Sequence, residues 1–151
     1  MSNAFKGILS GFVATLVLSA VMLLKNHLNI TQELSIINQL SKLAGGTPSG
    51  WADHFIIGTL MWGILFGGFD ATAPEVPYWL KGVIFSLFGW LVMMLFFLPF
   101  VGMGLFGSKA GYLPAVVNLA QHLIYGVVLG VTYGLLTQWV PAKAPEGSHQ
   151  T

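Results

Sequence analysis

The sequence predicts an all-α membrane protein: four transmembrane helices in a bundle, with one amphipathic interfacial helix between the first two. Three observations carry that prediction. The 151-residue chain is 55% hydrophobic and 7% charged, with a mean hydropathy of +0.77, whereas a soluble domain carries roughly 25% charged residues. It contains four apolar stretches, each near the ~20 helical residues that cross a bilayer core, joined by short polar or Pro/Gly-rich connections. Within those stretches small residues recur at every fourth position, the spacing at which helices approach closely in lipid.

The first span, about 7–27, opens with an uncharged run from Gly7 to Leu24 held between Lys6 and Lys25. Its basic start and apolar centre resemble a signal peptide, but it is read as a retained span. Gly7, Gly11, Thr15 and Ser19 give it a small-residue face. Over about 30–44 the character changes: Ile30, Leu34, Ile37, Leu40 and Ala44 fall at helical spacing among polar residues, the pattern of an amphipathic helix. Asn29 and Gln32 are spaced as a capping box. This helix is too polar to span, so it is expected to lie along the interface or to cover the end of the bundle.

The segment Gly45 to Gly50 turns the chain into the second span, about 51–69, with Asp53 and His54 in its first turn and Thr59, Gly63 and Gly67 near one face. A connection with two prolines, Asp70 to Pro77, leads to Tyr78, Trp79 and Lys81, residue types that anchor helices at a membrane interface. The third span, about 79–101, is the bulkiest, and Pro99 is expected to kink or end it. After a glycine-rich linker, Pro114 suits the first turn of a fourth span, about 114–139. There Asn118, His122, Gly126, Gly130, Gly134 and Gln138 form a ridge in steps of four. The tail, 141–151, is polar and Pro/Gly-containing and is expected to be disordered.

A weak internal repeat divides the chain into two helical hairpins. Lys6-Gly7-Ile8-Leu9 resembles Lys81-Gly82-Val83-Ile84, and His54-x-x-x-Gly58 resembles His122-x-x-x-Gly126, in the same order. The lysines divide evenly between the two membrane faces, so the positive-inside rule selects no orientation. Both termini are taken as cytoplasmic.

Several function classes are excluded. Six lysines, no arginine and no basic run provide no footprint for nucleic acid. The absence of cysteine removes disulfides, iron–sulfur ligation, thiolate metal sites and cysteine nucleophiles. Gly102-Met103-Gly104-Leu105-Phe106-Gly107-Ser108-Lys109 matches a glycine-rich nucleotide pattern in letters, yet it follows a membrane helix and has no acidic residue about 20 positions on, so no nucleotide is expected. Asn29-Ile30-Thr31 matches a glycosylation tripeptide, which is common by chance. No nucleophile elbow and no paired carboxylates indicate an enzyme.

The candidates that remain are polar groups at membrane depth. His54 and His122, on neighbouring helices at similar depth, have the residue type and placement for the axial ligands of a b-type haem, or for contact with a quinone. His27 and Asp53, toward the same face, are candidate metal ligands. Proton relay is a further reading. Against these stands a structural one, in which His122 hydrogen-bonds to Asn118 or to a serine of the first helix. The helix-packing residues are Gly7, Gly11, Gly63, Gly67, Gly126, Gly130 and Gly134.

Taken together, Gly7-x-x-x-Gly11 with Thr15, His54-x-x-x-Gly58, Trp90, and His122-x-x-Tyr125-Gly126-x-x-x-Gly130 resemble a group of small bacterial four-span proteins classified only as a domain of unknown function. The resemblance covers nearly the whole chain and implies a bacterial inner-membrane setting without an activity. The absence of a catalytic set, together with more small-residue seams than one four-helix bundle needs internally, leads to the expectation of a non-catalytic integral membrane protein, an accessory subunit of a larger respiratory or oxidoreductase complex, with membrane lipids bound. A haem- or metal-binding protein and a small transporter or channel are the alternatives.

Overall fold

The computed structural model describes residues 1–30, 35–72 and 75–138. Among the described residues are five longer helices, α1 (Asn3–His27), α2 (Ile36–Ala44), α3 (Thr47–Asp70), α4 (Tyr78–Phe100) and α5 (Tyr112–Gln138), with a short 3-10 segment, Leu105–Ala110, before the last. Four of them, all except α2, are long and apolar enough to cross a membrane. The expected tail, 141–151, and the Gln32 half of the expected capping box lie outside the described residues.

Local chemistry accounts for the boundaries. Ser2 caps α1 by accepting from the Phe5 amide at 3.3 Å. Gly45, at φ +84°, closes α2 in the left-handed conformation, its amide donating to the Ser41 carbonyl. Span two starts at Thr47, earlier than the expected Trp51, because Pro48 sits in a first turn where a missing N–H costs nothing. Span four likewise begins at Tyr112, two residues before Pro114.

Two helices depart from α geometry in mid-span. Residues Ile56–Met61 of α3 and Met93–Phe97 of α4 are π-helical, a form that occurs mostly as single widened turns. In α4 the widened turn lies just before Pro99, whose ring crowds the preceding carbonyls and which has no amide hydrogen. The kink expected at Pro99 is therefore realised as a π turn, and the helix ends one residue later at Phe100.

The bundle consists of two close hairpins, α1 with α3 and α4 with α5, which meet chiefly where α1 lies along α5. Each hairpin is closed by glycine. A Cβ built at Gly7 would collide with the carbonyl of Gly63, and one at Gly11 would lie 2.9 Å from the carbonyl oxygens of Gly58 and Thr59. In the second hairpin a Cβ at Gly82 would strike the Gly126 carbonyl, and one at Gly130 the Tyr78 carbonyl. Between the hairpins an aromatic core interlocks Phe66 with Phe85 (5.3 Å, 65°) and with Tyr133 (5.2 Å, 89°), in the edge-to-face geometry that ring quadrupoles favour.

These contacts place the internal repeat and revise its register. Gly7 meets Gly63 and Gly67 as Gly82 meets Gly126 and Gly130; one turn earlier, Asn3 meets Gly67 as Tyr78 meets Gly130. The Lys6/Lys81 correspondence is thus reproduced in the packing. The match of His54-x-x-x-Gly58 to His122-x-x-x-Gly126 is one turn out, because Gly63, not Gly58, takes the place of Gly126.

The two corresponding lysines are buried, 7% and 2% exposed. Lys81 pairs with Asp70, at the end of α3 in the other hairpin. Lys6 donates to Thr137 Oγ1 at 3.3 Å, near the end of α5, again in the other hairpin. Each ammonium also lies over a ring, Tyr78 for Lys81 (4.8 Å) and Tyr133 for Lys6 (5.2 Å). Lys81 is therefore not the interfacial anchor expected from its neighbours: Trp79 is exposed, but the lysine turns inward to a carboxylate.

Gly7→Ala and Gly82→Ala are each expected to lower stability by about 1–3 kcal/mol by overpacking a backbone contact, whereas Gly68→Ala, with open space around it, should be neutral or stabilising; melting in detergent reads the contrast. Asp70→Asn should cost about 3 kcal/mol by leaving a buried ammonium unpaired, and joint replacement of Asp70 and Lys81 by Leu and Met should recover most of it.

Candidate functional site

On the side of the bundle away from Lys6 and Lys81, α3 and α4 make few contacts, and a cavity of about 280 Å³ lies between the hairpins. All five helices line it: Thr15, Leu18 and Met22 from α1, Ile36 and Leu40 from α2, His54, Ile57, Gly58 and Trp62 from α3, Phe85, Ser86, Met93 and Phe97 from α4, and Asn118, Gln121, His122 and Tyr125 from α5. The amphipathic helix thus does more than rest on the interface. Its buried face, Ile37, Gln39 and Leu40, turns inward over this end of the bundle.

Both π-helical turns contribute to the wall. In α3 the Trp62 amide reaches back five residues to the Ile57 carbonyl, which releases the Gly58 carbonyl from its usual helical donor. Tyr125 Oη of α5 donates to that carbonyl at 2.6 Å. Gly58 is needed here because a Cβ would collide with Thr15 Oγ1 of α1. A widened turn, a glycine and a tyrosine from the last helix therefore form one joint, of which the sequence shows only the letters.

Among the described residues no carboxylate pairs with either histidine, which favours neutral rings, and their contacts select opposite tautomers. Ser19 Oγ spends its proton on the Thr15 carbonyl (2.7 Å), so its 3.2 Å contact with His54 Nε2 requires His54 to donate from Nε2. His122 Nδ1 lies 3.0 Å from the Asn118 carbonyl oxygen, an acceptor, so Nδ1 carries the hydrogen and Nε2 keeps its lone pair. The helix-one serine expected as a partner for His122 is thus the partner of His54 instead. His122 does bond to Asn118, but along its own helix to the backbone.

His27 is exposed at the end of α1 and Asp53 is half-buried, and among the described residues no three His, Asp or Glu side chains come together to hold a metal. For haem, His122 presents a free ε nitrogen, whereas His54 would have to release Ser19 to present its own. As arranged, the pair offers one axial ligand, not two. Asn118 and Gln121, beside His122 on the cavity wall, were read from the sequence only as polar residues at similar depth. In the structure Asn118 Oδ1 and Gln121 Nε2 are buried with no hydrogen-bond partner, and such orphans are rare in native interiors.

Four apolar spanning helices and a closed helical bundle define a multi-pass membrane domain. The chain belongs to a family of unknown function, DUF6789, whose model matches residues 1–143. No curated protein and no solved structure matches it.

Tyr125→Phe is expected to lower stability by about 1–3 kcal/mol, the cost of an unsatisfied buried carbonyl. Thermal unfolding of the purified variant measures it.

Proposed function

We propose that the protein is a non-catalytic, membrane-embedded binding protein whose central cavity holds an apolar small molecule by an uncharged polar head. The observation that carries this reading is the pair of unpartnered atoms, Asn118 Oδ1 and Gln121 Nε2, on the wall of a largely apolar cavity. Ligand sites characteristically combine hydrophobic and aromatic walls with a few polar groups that fix orientation. A bound head that hydrogen-bonds Asn118 and Gln121 removes the desolvation cost that both now bear.

The expected setting is a bacterial cytoplasmic membrane with both termini in the cytoplasm, which an even number of spans permits. An accessory role beside other integral membrane subunits of a respiratory complex is compatible with this reading. The small-residue seams that could dock another subunit are used within the chain, between α1 and α3 and between α4 and α5. The cavity supplies the stronger argument.

Extraction and mass spectrometry of gently purified protein should yield an apolar neutral molecule in near-stoichiometric amount. Its visible spectrum should show no Soret band. Asn118→Leu should raise the melting temperature of the ligand-free protein, by up to about 2 kcal/mol in stability, because it deletes an unpaired polar group, and should reduce the recovered molecule severalfold. An empty wild-type protein, or an Asn118→Leu protein that retains the full complement, sinks the proposal.

A further inference from the structure

Resting on the binding reading above, the chemistry of the wall specifies the ligand further. Among the described residues no Lys, Asp or Glu lines the cavity, and both histidines donate to neighbouring oxygens. A carboxylate or phosphate head would be buried there without a counter-charge. The head is therefore uncharged.

The wall hydroxyls then set the direction of hydrogen bonding. Thr15 Oγ1 donates to the Gly11 carbonyl (2.7 Å), Ser86 Oγ to the Val83 carbonyl (2.9 Å) and Tyr125 Oη to the Gly58 carbonyl (2.6 Å). Each proton is spent on backbone, so each oxygen keeps acceptor capacity only, with Thr15 Oγ1 set against Gly58 and Ser86 Oγ against Gly126. Asn118 Oδ1 and His122 Nε2 add two more acceptors, against the unpartnered amide hydrogens of Gln121. A site so rich in acceptors selects a molecule that brings its own O–H groups. The aromatic walls, Trp62, Phe85 and Phe97, favour a flat ring as its body.

From this we infer that the cavity binds a hydroxylated aromatic ring of the quinol class, in preference to the corresponding quinone. The quinone offers only carbonyl acceptors, which leave Asn118 Oδ1 and His122 Nε2 unpaired; the quinol donates to them and accepts from Gln121. The ring reaches the site from the lipid phase between α3 and α4, which contact each other least at this end.

The test is calorimetric titration of the full-length protein in detergent, under argon, with a short-tailed benzoquinol, the same compound oxidised to the quinone, and a straight-chain decyl alcohol. The quinol is expected to bind at least about tenfold more tightly than the quinone, the effect of one net hydrogen bond. Asn118→Leu should abolish most of that preference. Equal affinities, or preference for the quinone, overturn the inference and leave the binding reading standing. So does decyl alcohol binding as tightly as the quinol. If none of the three probes binds and no neutral molecule is recovered from the protein, both readings fall. Because the redox comparison uses the unaltered chain, it decides the matter even where a variant fails to fold.

Discussion

In lipid, helices gain nothing from hiding apolar surface, because the surrounding tails are as apolar as their own side chains. What holds this bundle is the approach of one backbone to another where side chains are missing, at Gly7 against Gly63 and at Gly82 against Gly126. Those contacts fix the spacing of both hairpins, and the spacing fixes what lies between them. Where the helices are closest, the gap is filled by interlocked rings of Phe66, Phe85 and Tyr133. Farther along, where α3 and α4 separate and each passes through a π turn, the same gap becomes a cavity.

The ends of the bundle are therefore unlike in kind. One is tied by two buried lysines, each reaching into the other hairpin, with a carboxylate for Lys81 and a hydroxyl for Lys6. The other is lined by neutral groups and covered by α2. At the tied end, partners and helix C-termini compensate the buried charge, while the described wall of the cavity is left to hydrogen bonds between uncharged atoms. This separation allows a polar wall within an apolar bundle.

The spans, the amphipathic helix and the packing glycines were legible in the sequence because each leaves a periodic or compositional trace. The slip in the repeat has a simple cause. The slip from Gly58 to Gly63 is five residues, one π turn, which a pattern of small residues at every fourth position does not contain. The π turn in α3 changes the phase between His54 and Gly63 without an insertion that a single sequence displays. The fate of Ser19 and of Lys81 was illegible for another reason. Ser19 is small enough to pack and polar enough to bond, and only its position opposite His54 decides between the two. Lys81 has the neighbours of an interfacial residue, and it turns inward because Asp70 stands across the connection. The family match, to proteins of unknown function, extends over nearly the same residues as the fold and adds no assignment of chemistry.

The joint between Tyr125 and Gly58 bears on how the protein is made. A chain that emerges in order places α3 in the membrane before α5 exists, with the Gly58 carbonyl already released from its helical donor by the π turn. Until the last helix arrives, that oxygen must be satisfied by water drawn into the bundle or by a temporary tightening of α3 to regular α geometry. Insertion of α5 then supplies the tyrosine, and with it Asn118, Gln121 and His122. The site is thus completed only with the fourth span, and a chain released before it has neither the cavity nor the bond that holds the widened turn open.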